Sequence, residues 1–322
     1  MLQQMPVLHL TERDVGKLLD MGTAIDVVEE AFRQLADKKA NNVPRVRAKS
    51  PGIVLHSMCA AAEYLGLVGW KCYTTTRAGA RFHVGLYDAA TGELVALVEA
   101  DRLGQLRTGA TTGVAVGWMA DMSATEVGLF GSGHQAETQL EAVARVREIK
   151  SAFVYSRNPA RRADFAARLS AKIGCQVIPV DRPQEAAEDL PIVITATTAS
   201  EPVFNGNDLA EGTLVCAVGS NWPQKAEIDA DVIRRADNIV CDSIEACRIE
   251  AGDFRDALER GIFSWPKAVE LADVVSGREI GRSNNDSVVL FKSVGLAIED
   301  VALGGKLLAL ARAQGIGREL QL

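Results

Sequence analysis

The stretch from Glu126 to Leu140, EVGLFGSGHQAETQL, constrains this chain more than any other. Val127 to Phe130 read as a buried strand, followed by a tight glycine turn and the first turn of a helix. Gly131, Gly133 and Ala136 fall on the G-x-G-x-x-G/A spacing of a dinucleotide-binding βαβ unit. Gly131 lets the chain turn off the strand, Gly133 lets the backbone approach a pyrophosphate, and Ala136 keeps the helix close to the sheet. Ser132, His134 and Gln135 complete the loop and would also lie against the cofactor. The free N–H groups of the helix end, with the positive end of the dipole behind them, suit phosphate.

Bulk properties narrow the class. With 322 residues, 48% of them hydrophobic, the chain is long enough for two domains with proper cores. A net charge of −7 counts against nucleic acid as the main partner. No apolar run approaches the ~20 residues that a membrane span needs. MLQQMPVLHLTERDV lacks the basic and then apolar pattern of a secretory leader, so a cytoplasmic protein is expected. The six cysteines (Cys59, Cys72, Cys175, Cys216, Cys241 and Cys247) form no C-x-x-C pair. Free buried thiols, with no metal site and no redox motif, are expected.

Residues 11–39 carry helical spacing, beginning at a Thr N-cap candidate. NNVPRVRAKSPG, punctuated by proline, reads as loop or edge strand. From Ile53 to Ala100 short alternating runs separated by glycine predict strands, with a hairpin turn at ATGE (90–93). Residues 101–120 read as a helix rich in small residues. From Ala124 the pattern is strand, helix, strand, helix, which predicts a mostly parallel sheet. Its six candidate strands are EVGLF, KSAFVYS, CQVIPV, PIVITATT, TLVCAVGS and NIVCD, as a Rossmann domain requires. The tail begins as strand or loop at SVVLFK and continues as a long apolar helix that would return to the first domain.

The second predicted strand ends in YSRNP (155–159). An NAD site usually places an acid here for the ribose hydroxyls; Ser156, Arg157 and Asn158 stand there instead. Arg157 is either a planar fork for the 2′-phosphate of NADP or a solvated loop arginine. NADP(H) is therefore the preferred cofactor, with NAD(H) possible. Thr195, Ala196 and Thr197 in one strand end, and Val218, Gly219 and Ser220 in another, lie on the carboxyl edge where α/β sheets bind ligands. There they either approach ribose and nicotinamide or cap loops.

Four charges are placed unusually: Arg45 after a proline, Lys71 inside the apolar strand GLVGWKCYTTT, Arg107 in LGQLRTGATTG, and Asp229 in QKAEID. A charge inside an apolar strand is costly unless it is paired or meets a ligand, which favours a functional Lys71. His56 and His83 read as satisfied strand residues, and His134 as a cofactor neighbour.

The motifs VPRV, GLVGWK, DAATGELVALVEADRLGQLRTGAT, GLFGSGHQAETQL, VGSNWPQKAEID and FKSVGLAIED together resemble the ornithine cyclodeaminase/μ-crystallin family over nearly the whole chain. The resemblance implies an α/β fold in which a Rossmann domain (121–300) is inserted into a substrate-binding and dimerisation domain made of 1–120 and the helix 301–322. It implies a homodimer acting on a small imino or amino acid. Arg45 and Arg107 would clamp the substrate carboxylate, with Lys71 in reach of that carboxylate and the reacting carbon. Asp229 would be the acid/base beside the nicotinamide. Thr108 and the segment Ser293, Val294 and Gly295 would line the cofactor side of the cleft.

Members of the family move hydride between nicotinamide and the carbon of an amino or imino acid. Two arginines fix the carboxylate so that the carbon faces the cofactor, and an acid or lysine handles the proton on nitrogen. Ser-Arg-Asn in place of an acid argues against a cyclodeaminase that keeps its NAD, and suits a reductase that draws on NADPH. The expectation is an NAD(P)H-dependent reductase of cyclic imino acids, of the Δ1-pyrroline-2-carboxylate type, giving an L-amino acid such as proline. Ornithine cyclodeaminase, alanine dehydrogenase and a non-catalytic NADPH-binding crystallin are the alternatives. Lys292 and His56 are positions that would reshape substrate choice.

Overall fold

The computed structural model describes residues 6–321, so the first five residues of the leader reading lie outside the described residues. The chain divides into two compact units, 1–108 with 296–322 and 109–295. The division falls inside the helix 101–119 and at Gly295, rather than at 120 and 300.

The first unit starts with β1 (Val7–Leu10), α1 (Glu12–Leu18) and α2 (Met21–Ala36). The helical residues expected over 11–39 thus form two helices, separated at Leu19 and Asp20. Thr11 and Asp14 form a capping box on α1, and Asp20 caps α2 by accepting from the Thr23 amide. Helix α2 buries Met21, Ala24, Ile25, Val28, Ala31 and Phe32, the stripe that a 3.6-residue period requires. Then come β2 (Ala40–Ser50), β3 (Ile53–Ala62), β4 (Leu67–Thr76), β5 (Gly79–Asp88), β6 (Leu94–Glu99) and α3 (Asp101–Met119).

The second unit holds β7 (Glu126–Phe130), α4 (His134–Val146), β8 (Ser151–Tyr155), α5 (Pro159–Ile173), β9 (Gln176–Pro179), β10 (Ile192–Thr195) and β11 (Leu214–Ala217). It continues through α6 (Ala230–Arg235), β12 (Asn238–Cys241), α7 (Ile244–Glu250), α8 (Arg255–Glu259), β13 (Ala268–Glu270), α9 (Leu271–Val275) and β14 (Val289–Lys292). The chain returns to the first unit as α10 (Ala297–Gln314) and β15 (Arg318–Leu320).

The first unit's sheet runs β15-β1-β6-β5-β4-β3-β2, so the proline-punctuated β2 is an edge strand. The short strands β1 and β15, which carry no clear alternation, were not legible in the sequence. Helix α10 approaches the sheet closely through Gly304 and Gly305, which lie against Leu86 and Leu67. One face of β3–β5 carries buried Met58, Ala60, Lys71, Tyr73, Val84 and Leu86.

The second unit's sheet is parallel throughout, in the order β13-β12-β14-β11-β10-β7-β8-β9. It has eight strands, not six. SVVLFK supplies β14, which slots between β11 and β12, and the three-residue β13 extends the edge. The mixed α/β class and the Rossmann-type order, with β7 at the switch point between β8 and β10, are as the sequence predicts.

Candidate active site

In the second unit Gly131 has φ +117, a left-handed backbone that excludes other residues, and a Cβ there would lie 2.4 Å from the Ala196 carbonyl oxygen. Gly133 is the N-cap of α4 with no side chain bonded to the helix end, and apart from its two chain neighbours no described residue comes within 4 Å of where its Cβ would be. Thirteen residues of helix stand behind those amides. A cavity of about 620 Å³ opens here, lined by Gly131, Ser132, Gly133, Ser156, Arg157, Asn158, Arg161, Ala196 and Thr197. A helix N-terminus opening on a cavity, with room for phosphate at Gly133, fits a dinucleotide. Ser132 Oγ donates to Ser156 Oγ at 2.9 Å, tying the glycine loop to the end of β8.

Three arginines follow β8. Arg157 and Arg161 are exposed and line the cavity. Arg162 is buried, ion-paired with Asp181, and donates through Nη1 to the Ser156 carbonyl at 2.9 Å. Asn158 caps α5, its Oδ1 accepting from the Arg161 amide, so its side chain serves the helix. His134 and Gln135 are exposed on the first turn of α4.

The strand ends TATT and VGSN are held by a residue that sequence reasoning passed over. Glu227 is fully buried, and its carboxylate accepts from Thr195 Oγ1 (3.0 Å), Thr197 N and Oγ1 (2.7 Å each) and Gly219 N (2.6 Å). Burial pushes its carboxyl up, against the pull of Lys292. Thr195 is wholly buried, and its hydroxyl is taken up by Glu227. Lys292 is also fully buried; it pairs with Asp253 at 2.7 Å and donates to the Ser220 carbonyl at 2.9 Å. Burial alone would lower Lys292, but Asp253 and Glu227 hold it above its ordinary value. It thereby holds the VGS turn through the Ser220 carbonyl. Asp242 does the same for the segment 293–295: its Oδ2 accepts from Ser293 Oγ (2.8 Å), Val294 N (2.7 Å) and Gly295 N (2.7 Å).

Asp229 is half-buried and is the N-cap of α6. Oδ1 accepts from the amides of Asp231 and Val232 at 3.0 Å each, and Oδ2 from Gly206 at 3.1 Å. Three backbone donors on one carboxylate give it a structural task, and this geometry does not favour the acid/base role.

In the first unit Arg45, Lys71 and Arg107 come together. All three are buried, at 5%, 2% and 8% exposure. Lys71 points inward because β4 alternates, with Gly69, Lys71 and Tyr73 on its buried face. Its Nζ lies 5.9 Å from the Tyr73 ring centre and 5.6 Å from that of Phe82. Arg45 Cζ lies 6.0 Å from the same Tyr73 ring. His56, Tyr73 and Phe82 are cross-strand partners on β3, β4 and β5 and stack at 4.1 and 4.9 Å. Gly104 of α3 leaves space for the ammonium: a Cβ there would lie 3.1 Å from Nζ.

Two acids on α10, absent from the sequence-based candidates, complete the cluster. Arg107 Nη1 donates to Glu299 Oε2 at 2.7 Å, and Lys71 Nζ donates to Asp300 Oδ1 at 2.8 Å. Arg107 Nε also lies 3.4 Å from Asp300 Oδ1. Burial, reinforced by the Arg107 guanidinium, pulls Lys71 down to about 8 despite Asp300. Burial would lower Arg107 too, yet Asp300 and Glu299 outweigh it and keep it firmly charged. Burial, with Arg47 and Arg45 nearby, pushes His56 down to about 4, so it is neutral. Its Nδ1 accepts from Arg47 Nε at 3.2 Å and its Nε2 lies 3.1 Å from Thr75 Oγ1, the satisfied strand residue expected. His83 is exposed on β5. Thr108 Oγ1 donates to the Gly104 carbonyl within α3.

No group of three or more His, Cys, Asp or Glu able to hold a metal ion occurs among the described residues. No helix among them is long and apolar enough to cross a membrane.

The family model for ornithine cyclodeaminase/mu-crystallin matches residues 6–307. The Δ1-pyrroline-2-carboxylate reductase of Bacillus cereus is 29% identical over 98% of this chain and 100% of its own length. The structure of Thermococcus litoralis Δ1-pyrroline-2-carboxylate reductase in complex with NADH and L-proline is 34% identical, with a TM-score of 0.93 over 98% of this chain and 100% of that one. An archaeal alanine dehydrogenase dimer with bound NAD is 28% identical, with a TM-score of 0.93 over 99% of this chain and 100% of that one.

Proposed function

The chain belongs to the ornithine cyclodeaminase/mu-crystallin family, and on that footing we propose that it reduces a cyclic imino acid of the Δ1-pyrroline-2-carboxylate type to an L-amino acid such as proline, with NADPH or NADH. The observation that carries this reading is the buried cluster of Arg45, Lys71 and Arg107 beside an aromatic wall. The reductases and alanine dehydrogenase among its relatives support it.

Gly131, Ser132, Gly133 and the α4 amides would hold the pyrophosphate, and the bound nicotinamide would supply hydride to the imine carbon. Arg45 and Arg107 hold the substrate carboxylate, and the forks fix its plane. Tyr73 and Phe82 give the substrate ring an apolar surface that excludes water. Lys71 carries the proton: its Nζ donates to the imine nitrogen, which makes the carbon electrophilic and leaves a neutral amine after reduction. A lysine held at about 8 is suited to give up a proton near neutral pH. We assign this role to Lys71 in preference to Asp229, whose oxygens are engaged by α6 and Gly206.

We infer a preference for NADPH. No acid stands at the end of β8, and two exposed arginines, Arg157 and Arg161, line the cavity where a 2′-phosphate would lie.

We infer also that the chain acts as a homodimer. The outward face of β2–β4 carries Val43, Val46, Ile53, Leu55 and Val68, all exposed, with Val46 at 65%. An antiparallel sheet that met only water would place polar residues there.

The test is product formation. Protein incubated with Δ1-pyrroline-2-carboxylate and NADPH should yield L-proline. Alanine from pyruvate and ammonia, with no proline, would make alanine dehydrogenase the better reading.

A further inference from the structure

Glu299 and Asp300 are neighbours on α10, wholly buried, and have no part in the reaction as described so far. Both reach cations to which the proposed function gives work, and they do so differently. Glu299 meets Arg107, which stays charged in proteins whatever its partner. Asp300 meets Lys71, which does not. The residue whose protonation is open to control is therefore the one paired with Asp300.

The surroundings of Lys71 press against its charge. Arg107 on α3 and Arg45 on β2 are cations in the same buried cluster, and Tyr73 on β4 and Phe82 on β5 offer only ring faces. Glu299 is engaged with Arg107, and His56 behind Tyr73 is neutral. Asp300 is the carboxylate that bonds Nζ directly, at 2.8 Å, with both groups at 2% exposure or less. Its other oxygen has no hydrogen-bond partner among the described residues.

We propose that Asp300 is the positioning residue that keeps Lys71 an ammonium ion, fixing one of its three N–H bonds and leaving the others for the substrate. This rests on the reading of Lys71 as the proton carrier. Asp300 raises the lysine against burial and two guanidinium groups, so its removal lets Lys71 fall below about 8. At the pH of use, a further drop of one unit cuts the ammonium fraction up to about tenfold.

The experiment is a ¹³Cε-lysine NMR titration of the full chain, with the Lys71 signal assigned by its loss in Lys71→Met. Beside it, kcat/KM is measured against pH with NADPH and Δ1-pyrroline-2-carboxylate. In Asp300→Asn the Lys71 midpoint should drop by a unit or more, and the high-pH limb of kcat/KM should move down with it. Glu299→Gln should move the midpoint far less. In the unaltered protein the Asp300 ¹³Cγ signal should inflect at the Lys71 midpoint, a readout that survives if Asp300→Asn does not fold. An unmoved midpoint in Asp300→Asn, or no inflection at Asp300, overturns the proposal. A shifted midpoint without a shifted pH profile upholds the pairing and counts against Lys71 as proton carrier.

Discussion

The backbone amide and the hydroxyl of Thr197 both donate to the same oxygen of Glu227, Oε1, at 2.7 Å each. The other oxygen, Oε2, takes Thr195 Oγ1 and Gly219 N. One carboxylate thus fixes the ends of two adjacent strands, β10 and β11, at the edge where the second unit's cavity begins.

Replacing Glu227 with Gln puts an NH₂ against donors that need an acceptor. Leaving buried donors unpaired costs roughly 1–3 kcal/mol each. The variant should unfold at lower temperature and show a raised KM for NADPH, read by thermal melts and steady-state kinetics. An unchanged KM would separate the strand ends from cofactor binding.

Lys71 gives activity and stability opposite pH dependences. If its ammonium is required, kcat/KM falls as pH rises through about 8. Its native pKa lies below the unfolded value of 10.5, so the unfolded chain binds more protons between about 8 and 10.5, and this group's contribution to stability rises with pH over that window. Comparison with Lys71→Met isolates the effect: the difference in unfolding free energy should change with pH above about 8. A flat difference would contradict a native Lys71 depressed by its surroundings.

Arg157 and Arg161 should govern cofactor choice. Arg157→Ala should raise the KM for NADPH by tenfold or so, about 1.4 kcal/mol of lost phosphate interaction, and leave that for NADH nearly unchanged. Arg161→Ala should act in the same direction. Equal effects on both cofactors would remove the 2′-phosphate role.

The outward face of β2–β4 should be an interface between copies. Val46→Asp, at a 65% exposed site, should leave the fold intact and convert dimer to monomer in sedimentation. A monomeric parent protein would contradict the homodimer.

What could be read from the sequence were residues whose type conflicts with their surroundings. Gly131 was legible because a sharp turn between strand and helix admits little else, and φ +117 bears that conflict out. Lys71 was legible because an apolar strand rarely carries a cation. Glu299 and Asp300 were not: two acids opening a helix look like ordinary first-turn charges, and Asp300 meets Lys71 across 229 residues of sequence. Glu227, Asp242 and Asp253 were hidden for the same reason, since Asp and Glu in loops read as solvated. Asp229 carries a second local signal, because an acid just before ADVIRR is also a good helix N-cap. The short strands β13 and β15, at three residues each, were too brief to show alternation.

The measurement that tests the central claim most directly is NADPH consumption with Δ1-pyrroline-2-carboxylate, repeated with NADH and with pyruvate plus ammonia. The account predicts turnover of the cyclic imine well above that of pyruvate and ammonia, with L-proline formed mole for mole with NADP⁺. No turnover of any cyclic imino acid by folded protein with either cofactor would contradict it.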